Sequence, residues 1–142
     1  MNPKQFLLFG GIVLIVVGIL GFVGILGPTQ DDSIFGSAWW FDNGENWAHL
    51  IGGIVAIVAR YLLSAGVQKN LTLLVGVVTI IATIYGFVIS ENFLGAMFQN
   101  PLDNILHLVV AVWAFLAWRK GGQIPALGGM SSQPMGGAPM GM

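Results

Sequence analysis

The chain has no cysteine. That excludes disulfides, thiolate metal sites and cysteine nucleophiles, and it leaves the redox compartment open. Charge is scarce: 8% of the 142 residues are Asp, Glu, Lys or Arg, against about 25% in a soluble domain. The net charge is −1, so no basic surface points to nucleic acid. Common enzyme signatures are missing as well. There is no G-x-S-x-G, no H-E-x-x-H and no P-loop. The Asp31-Asp32 pair stands in a loop without a partner base, where it reads as a solvated charge. The sequence therefore predicts a protein that is not an enzyme.

What is plentiful is apolar surface. Hydrophobic residues make up 56% of the chain, and the mean hydropathy is +0.83. A bilayer core needs roughly 20 apolar residues per helix, and four stretches approach that length. The first is FLLFGGIVLIVVGILGFVGILG, Phe6 to Gly27, ahead of Pro28. The second covers about 46–63, with Arg60 near its end; the third is Leu71 to Ser90; the fourth covers about 102–118. Ser64 to Asn70, SAGVQKN, is expected to be the hairpin turn between the second and third. The first stretch exceeds the roughly 7–15 apolar residues of a secretory signal and lacks a small-x-small cleavage pattern, so it reads as a retained helix. The expected class is an all-α integral membrane protein with a four-helix transmembrane domain over 1–120.

Orientation follows from the few charges. Lys4, Arg60, Lys69, Arg119 and Lys120 fall on one side of a four-span topology. By the positive-inside rule that side is cytoplasmic, with both termini. A bacterial inner membrane is the expected location. Asp31, Asp32, Asp42, Glu45, Glu91 and Asp103 fall on the other side. Trp39, Trp40 and Trp47 suit the outer interface, and Tyr61 and Trp118 the inner one. The Asn70-Leu71-Thr72 sequon would face the cytoplasm and is discounted as a glycan site. From Gly121 the tail, 121–142, is rich in Gly, Pro and Met and reads as flexible. Met130, Met135, Met140 and Met142 could ligate Cu(I) through thioethers, but their spacing is irregular and no histidine accompanies them.

The spans also repeat. Shifted by 58 positions, the second lies on the fourth: Glu45 meets Asp103, Asn46 meets Asn104, His49 meets His107 and Leu50 meets Leu108. Shifted by 65, the first lies on the third: Gly11 meets Gly76, Gly21 meets Gly86 and Phe22 meets Phe87. Two tandem hairpins that start on the same side form a parallel repeat. The only two histidines would then sit at one depth near the outer surface. At 3.6 residues per turn, Gly53, Ala56 and Arg60 fall within about 40° of His49, as Ala111, Ala114 and Trp118 do for His107. Small residues allow close helix approach, so these faces should point into the bundle. Ala48, Gly52 and Ala56 form a small-residue ladder on the adjoining edge.

Three roles suit the paired clusters Glu45-Asn46-His49 and Asp103-Asn104-His107. In the first, Asn46 and Asn104 are N-caps, and each histidine pairs with an acid or amide of the other hairpin as a structural latch. Such intramembrane contacts average about 0.6 kcal/mol. In the second, His49 and His107 bind a cofactor, ligating a haem, a pigment or a metal, with the acids orienting the imidazoles. Small-residue faces argue for packing tighter than a macrocycle allows. In the third, the protein is a small transporter or passes protons, but the spans offer no continuous polar path beyond Arg60, Thr79 and Thr83.

NWAHLIGGIVAIVA and DNILHLVVAVWAFLAW, each preceded by an apolar span, resemble the small four-helix bacterial membrane proteins classed as domain of unknown function 4383. The matching elements are Asn46, His49 and Leu50 before the second helix, and Asp103, Asn104, His107 and Leu108 before the fourth. Glu45 stands where the second copy has Asp103. The resemblance covers roughly 6–118; it implies the architecture and the paired histidines and supplies no activity. The expected function is that of a structural or accessory membrane subunit in a homo-oligomer or larger membrane complex, with the lipid bilayer as its other partner.

Overall fold

In a computed structural model, Asn2 opens the first helix. Its side-chain oxygen accepts the Gln5 N–H at 3.0 Å, and the Gln5 side chain accepts the Asn2 N–H at 3.1 Å. With Pro3 at the first helical position this is a capping box. Helix α1 spans Pro3–Phe22. It stops short of the expected Gly27 because Gly24 turns left-handed at φ +78°. The Ile25 N–H then reaches back to the Leu20 carbonyl at 3.0 Å, closing a Schellman-type end. The remaining apolar residues fold into the following loop, where the Leu26 carbonyl accepts the Phe41 N–H at 2.6 Å. The structure describes residues 1–121, so the readings placed on the tail, a flexible end and a Cu(I) site, lie outside the described residues.

Helix α2 spans Asn43–Leu62 and α4 spans Leu102–Lys120. The N-cap roles expected of Asn46 and Asn104 are not the ones they have. Asp42 caps α2, accepting the Glu45 N–H at 2.8 Å while Glu45 accepts the Asp42 N–H at 3.2 Å. At α4 the N-cap position is Pro101, which makes no side-chain cap. The D-x-x-E box is the stronger start signal, and it places Asn46 inside the helix. Helix α3 spans Ala65–Val88, so the expected 64–70 turn narrows to Leu63 and Ser64. Its polar residues serve the end of α2 instead: Gln68 Nε2 donates to the carbonyls of Arg60 and Leu63 at 3.0 and 2.8 Å. A small antiparallel ribbon, β1 (Asn92–Phe93) and β2 (Ala96–Met97), precedes α4. Leu94 and Gly95 turn it, both at positive φ.

The helices pack as two antiparallel pairs, α1 with α2 and α3 with α4, and α1 joins them by touching both α3 and α4. The joint lies near the N-terminal end of α1. Phe6 and Leu7 pack there with Ala59, Ala114 and Ala117, and Trp113 stands edge-on to Phe6 at 4.8 Å. All five basic residues sit at this end, and the acidic residues at the other. Large apolar side chains such as Val13, Ile54, Leu74, Ile81 and Val109 face outward. Soluble proteins rarely expose so much contiguous apolar surface. By length and composition α1, α3 and α4 can cross a membrane. The chain is thus a mostly helical protein with three helices fit to span a bilayer.

Candidate functional site: a buried polar cluster at the acidic end

The acidic end gathers the polar residues singled out above. Glu45, Asn46 and His49 occupy the first turns of α2, and Asp103, Asn104 and His107 those of α4. The i, i+1, i+4 spacing puts each trio on one side of its helix. Glu45, Asn46, Asp103 and Asn104 are at most 2% exposed, whereas the histidines are half-buried. Both trios stand at the acidic end of the molecule, each at the start of its helix.

Each asparagine is seated by a glycine of its partner helix. A β-carbon at Gly21 would collide with the Asn46 side chain, and one at Gly86 with Asn104. The small faces expected to point inward do so. Gly53 lies against the Gly11 carbonyl, Gly76 against Ala114, and Ala111 and Ala114 are fully buried. Thr83 adds a contact at the second seat, donating to the Thr79 carbonyl at 2.8 Å and to the Asn104 carbonyl at 3.3 Å.

The bonds that tie one hairpin to the other do not come from the histidines. Trp39 Nε1, from the α1–α2 loop, donates to Asp103 Oδ1 on α4 at 2.7 Å. Asp103 Oδ2 accepts the Gln99 N–H at 2.6 Å. Across the gap Asp42 Oδ2 accepts the Met97 N–H of β2 at 2.8 Å. Sequence reasoning placed Trp39 at the lipid interface and gave Asp42 only a side of the membrane. No spacing rule links residue 39 to residue 103, so these two contacts had no signal in the sequence.

The imidazoles pack instead. The His49 ring meets Phe41 at 5.2 Å, and His107 meets Phe98 at 4.8 Å. Both Nδ1 atoms are buried without a hydrogen-bond partner, as are Glu45 Oε1, Asn46 Oδ1 and both polar atoms of the Asn104 amide. Among the described residues the only other such side-chain atom is Arg60 Nε. Among the described residues, buried polar side-chain atoms without a protein partner are therefore concentrated at this end. Among the described residues no three His, Asp or Glu are arranged to hold a metal ion. Comparison with known proteins found no matching family model, curated protein or solved structure.

Proposed function

We propose that this chain is a non-enzymatic integral membrane protein of four spans, a structural or accessory subunit that associates with itself or with a larger membrane complex. The observation that carries the reading is the cross-hairpin bond from Trp39 to Asp103, reinforced by Asp42 and the β2 backbone. A buried acid of α4 and the capping acid of α2 are thereby committed to closing the bundle. The two hairpins form a tandem parallel repeat in this reading, supported by the matched seats Gly21–Asn46 and Gly86–Asn104. The second span is α2. Its polar first turn stands at the outer interface, and the rest is carried across by packing on α1. The basic end faces the cytoplasm of a bacterial inner membrane. Membership of domain of unknown function 4383 is part of the proposal and rests on the repeated Asn-x-x-His-Leu elements.

The absence of native cysteine makes the topology simple to test. Single variants Asp31→Cys and Asn92→Cys should react with an impermeant maleimide from the outer side, and Gly66→Cys only after permeabilisation. Labelling of Gly66→Cys from the same side as Asp31→Cys would mean that α2 does not cross. For the accessory role, mild-detergent extracts of native membranes should contain the chain in a stoichiometric oligomer or complex. A lone monomer at every detergent concentration would sink it.

A second reading has its own observation. Two unpartnered imidazole Nδ1 atoms, one in each trio, suit a haem, a pigment or a metal with exogenous ligands, held by His49 and His107. An absorption spectrum with metal analysis, repeated on the His49→Ala, His107→Ala double variant, separates the readings. A band or metal lost in the variant selects the cofactor subunit.

A further inference from the structure

The acidic end holds three carboxyl groups whose hydrogen bonds are unequally shared. Asp42 has a donor on each oxygen, the Glu45 N–H on Oδ1 and the Met97 N–H on Oδ2, both at 2.8 Å. Asp103 is served as well, by the Trp39 indole N–H at 2.7 Å and the Gln99 N–H at 2.6 Å. Hydrogen bonds from two N–H groups favour an ionised carboxylate. Glu45 has only one. The Asp42 N–H reaches its Oε2 at 3.2 Å, and its Oε1 is buried without a partner.

Glu45 is nonetheless 2% exposed. An ionised carboxylate there would be shut away from water with a single long hydrogen bond. No fixed positive charge is at hand to match it, because all five basic residues stand at the opposite end. The titratable groups at this end are Asp42 and His49 beside it on α2, and Asp103 and His107 on α4. Asp31, Asp32 and Glu91 are exposed in the loops. The last turns of α1 and the two strands of the ribbon bring no titratable side chain. Burying an unpaired charge costs far more than burying a neutral carboxyl, so a group in this position takes up a proton.

We infer that Glu45 is a proton-binding site, neutral while the bundle is closed, and that its deprotonation loosens the joint between the hairpins. The inference rests on the reading above, in which Asp42 and Asp103 close the bundle. Glu45 and Asp42 share one capping box. A charge on Glu45 would therefore repel the carboxylate that holds the Met97 N–H. The same reading places the first turn of α2 at the outer interface, so Glu45 exchanges its proton with the outer medium. An unfolded glutamate ionises near about pH 4.3, whereas the closed bundle keeps the proton above that value. The stability it contributes is complete below the unfolded value and is lost as pH rises, until the folded group ionises too.

The test is thermal unfolding of the full-length protein in mild detergent with a chelator, from about pH 5 to about pH 9, for wild type and Glu45→Gln. Glutamine is neutral throughout and keeps an oxygen for the Asp42 N–H. Wild type should lose roughly 4 °C or more relative to Glu45→Gln across that range. The histidines titrate in both proteins, so their effect cancels in the difference. At about pH 7, where ordinary carboxyls are ionised, the infrared spectrum of wild type should show a protonated carboxyl band that Glu45→Gln lacks. Melting profiles that run parallel, or a band unchanged by the substitution, overturn the inference. So does a pH profile that appears only when a divalent cation replaces the chelator, which would put a metal ion at Glu45. Asp103→Ala keeps the fastening reading separate. If it leaves melting unchanged at about pH 5, that reading fails. If it destabilises while wild type and Glu45→Gln run parallel, only the proton site fails.

Discussion

The α1–α2 and α3–α4 hairpins share a packing plan and differ in how they end. In both, a glycine near the middle of the first helix meets a small residue past the middle of the second, Gly11 with Ala56 and Gly76 with Ala114, each at 3.3 Å from the added β-carbon. In both, a later glycine seats a buried asparagine, and a phenylalanine from the preceding loop covers the histidine. The endings diverge. The first hairpin turns through a long loop, 23–42, and starts α2 with a capping box; the second turns through a short ribbon and starts α4 on Pro101 without one. The loop of the first supplies Trp39 to the acid of the second, and the ribbon of the second supplies a backbone N–H to Asp42 of the first. Common cores with exchanged ends let two similar hairpins fasten to each other rather than stand as separate units.

The common part is the easiest to break. Gly21→Ala and Gly86→Ala each force a methyl group into a buried asparagine side chain. Overpacking of this kind costs about 1–3 kcal/mol, well above the roughly 0.5–1 kcal/mol that alanine returns as helix propensity. Both variants should lower the melting temperature in detergent, and by similar amounts. Gly52→Ala is the control. Its β-carbon would meet only Leu14, at 3.9 Å, so it should be neutral or slightly stabilising. A harmless Gly86→Ala beside a damaging Gly21→Ala would show that the two seats are not equivalent.

The exchanged ends come next in size. Asp103→Ala strands the Trp39 indole N–H and the Gln99 N–H together. Both donors belong to half-buried residues, so the loss should fall near the roughly 1 kcal/mol of a hydrogen bond to each rather than the full penalty for a buried donor. Trp39→Phe leaves the buried Asp103 Oδ1 without its donor and should destabilise as well. If the bond is the fastening, the two substitutions combine less than additively in a double-mutant cycle followed by thermal unfolding. Strict additivity would detach Trp39 from Asp103. Glu45→Gln should do less harm than Asp103→Ala, because Oε1 has no partner to lose and Oε2 accepts only the Asp42 N–H.

The common core was readable because it is periodic. Offsets of 58 and 65 align Asn46 with Asn104 and Gly21 with Gly86, and those residues occupy matching seats. Small residues about one turn apart announced the buried faces. The ends were not readable because they depend on local competition and on chance neighbours in space. Asn46 looks like a cap until the capping box at Asp42 outbids it. The polar run 64–70 looks like a turn, although Gln68 completes the end of α2 from within α3. The apolar run to Gly27 conceals a left-handed Gly24 that ends α1 early. The joining of Trp39 to Asp103 spans 64 residues, and a single sequence carries no periodic trace of such a contact.

The smallest expected effect bears on the histidines, the most conspicuous pair in the sequence. Their rings contact Phe41 and Phe98, and aromatic pairs of this geometry contribute about 0.5–1.5 kcal/mol each. His49→Ala or His107→Ala alone should therefore lower the melting temperature modestly, through lost packing. His49→Phe with His107→Phe keeps the packing and discards the imidazole nitrogens. If the rings act only as packing surfaces within their hairpins, the phenylalanine pair should match wild type in melting temperature and in oligomer size. If it melts like wild type yet loses a visible band, a bound metal or assembly into its complex, the unpartnered Nδ1 atoms are working groups. The resemblance between the two hairpins would then extend from packing to function.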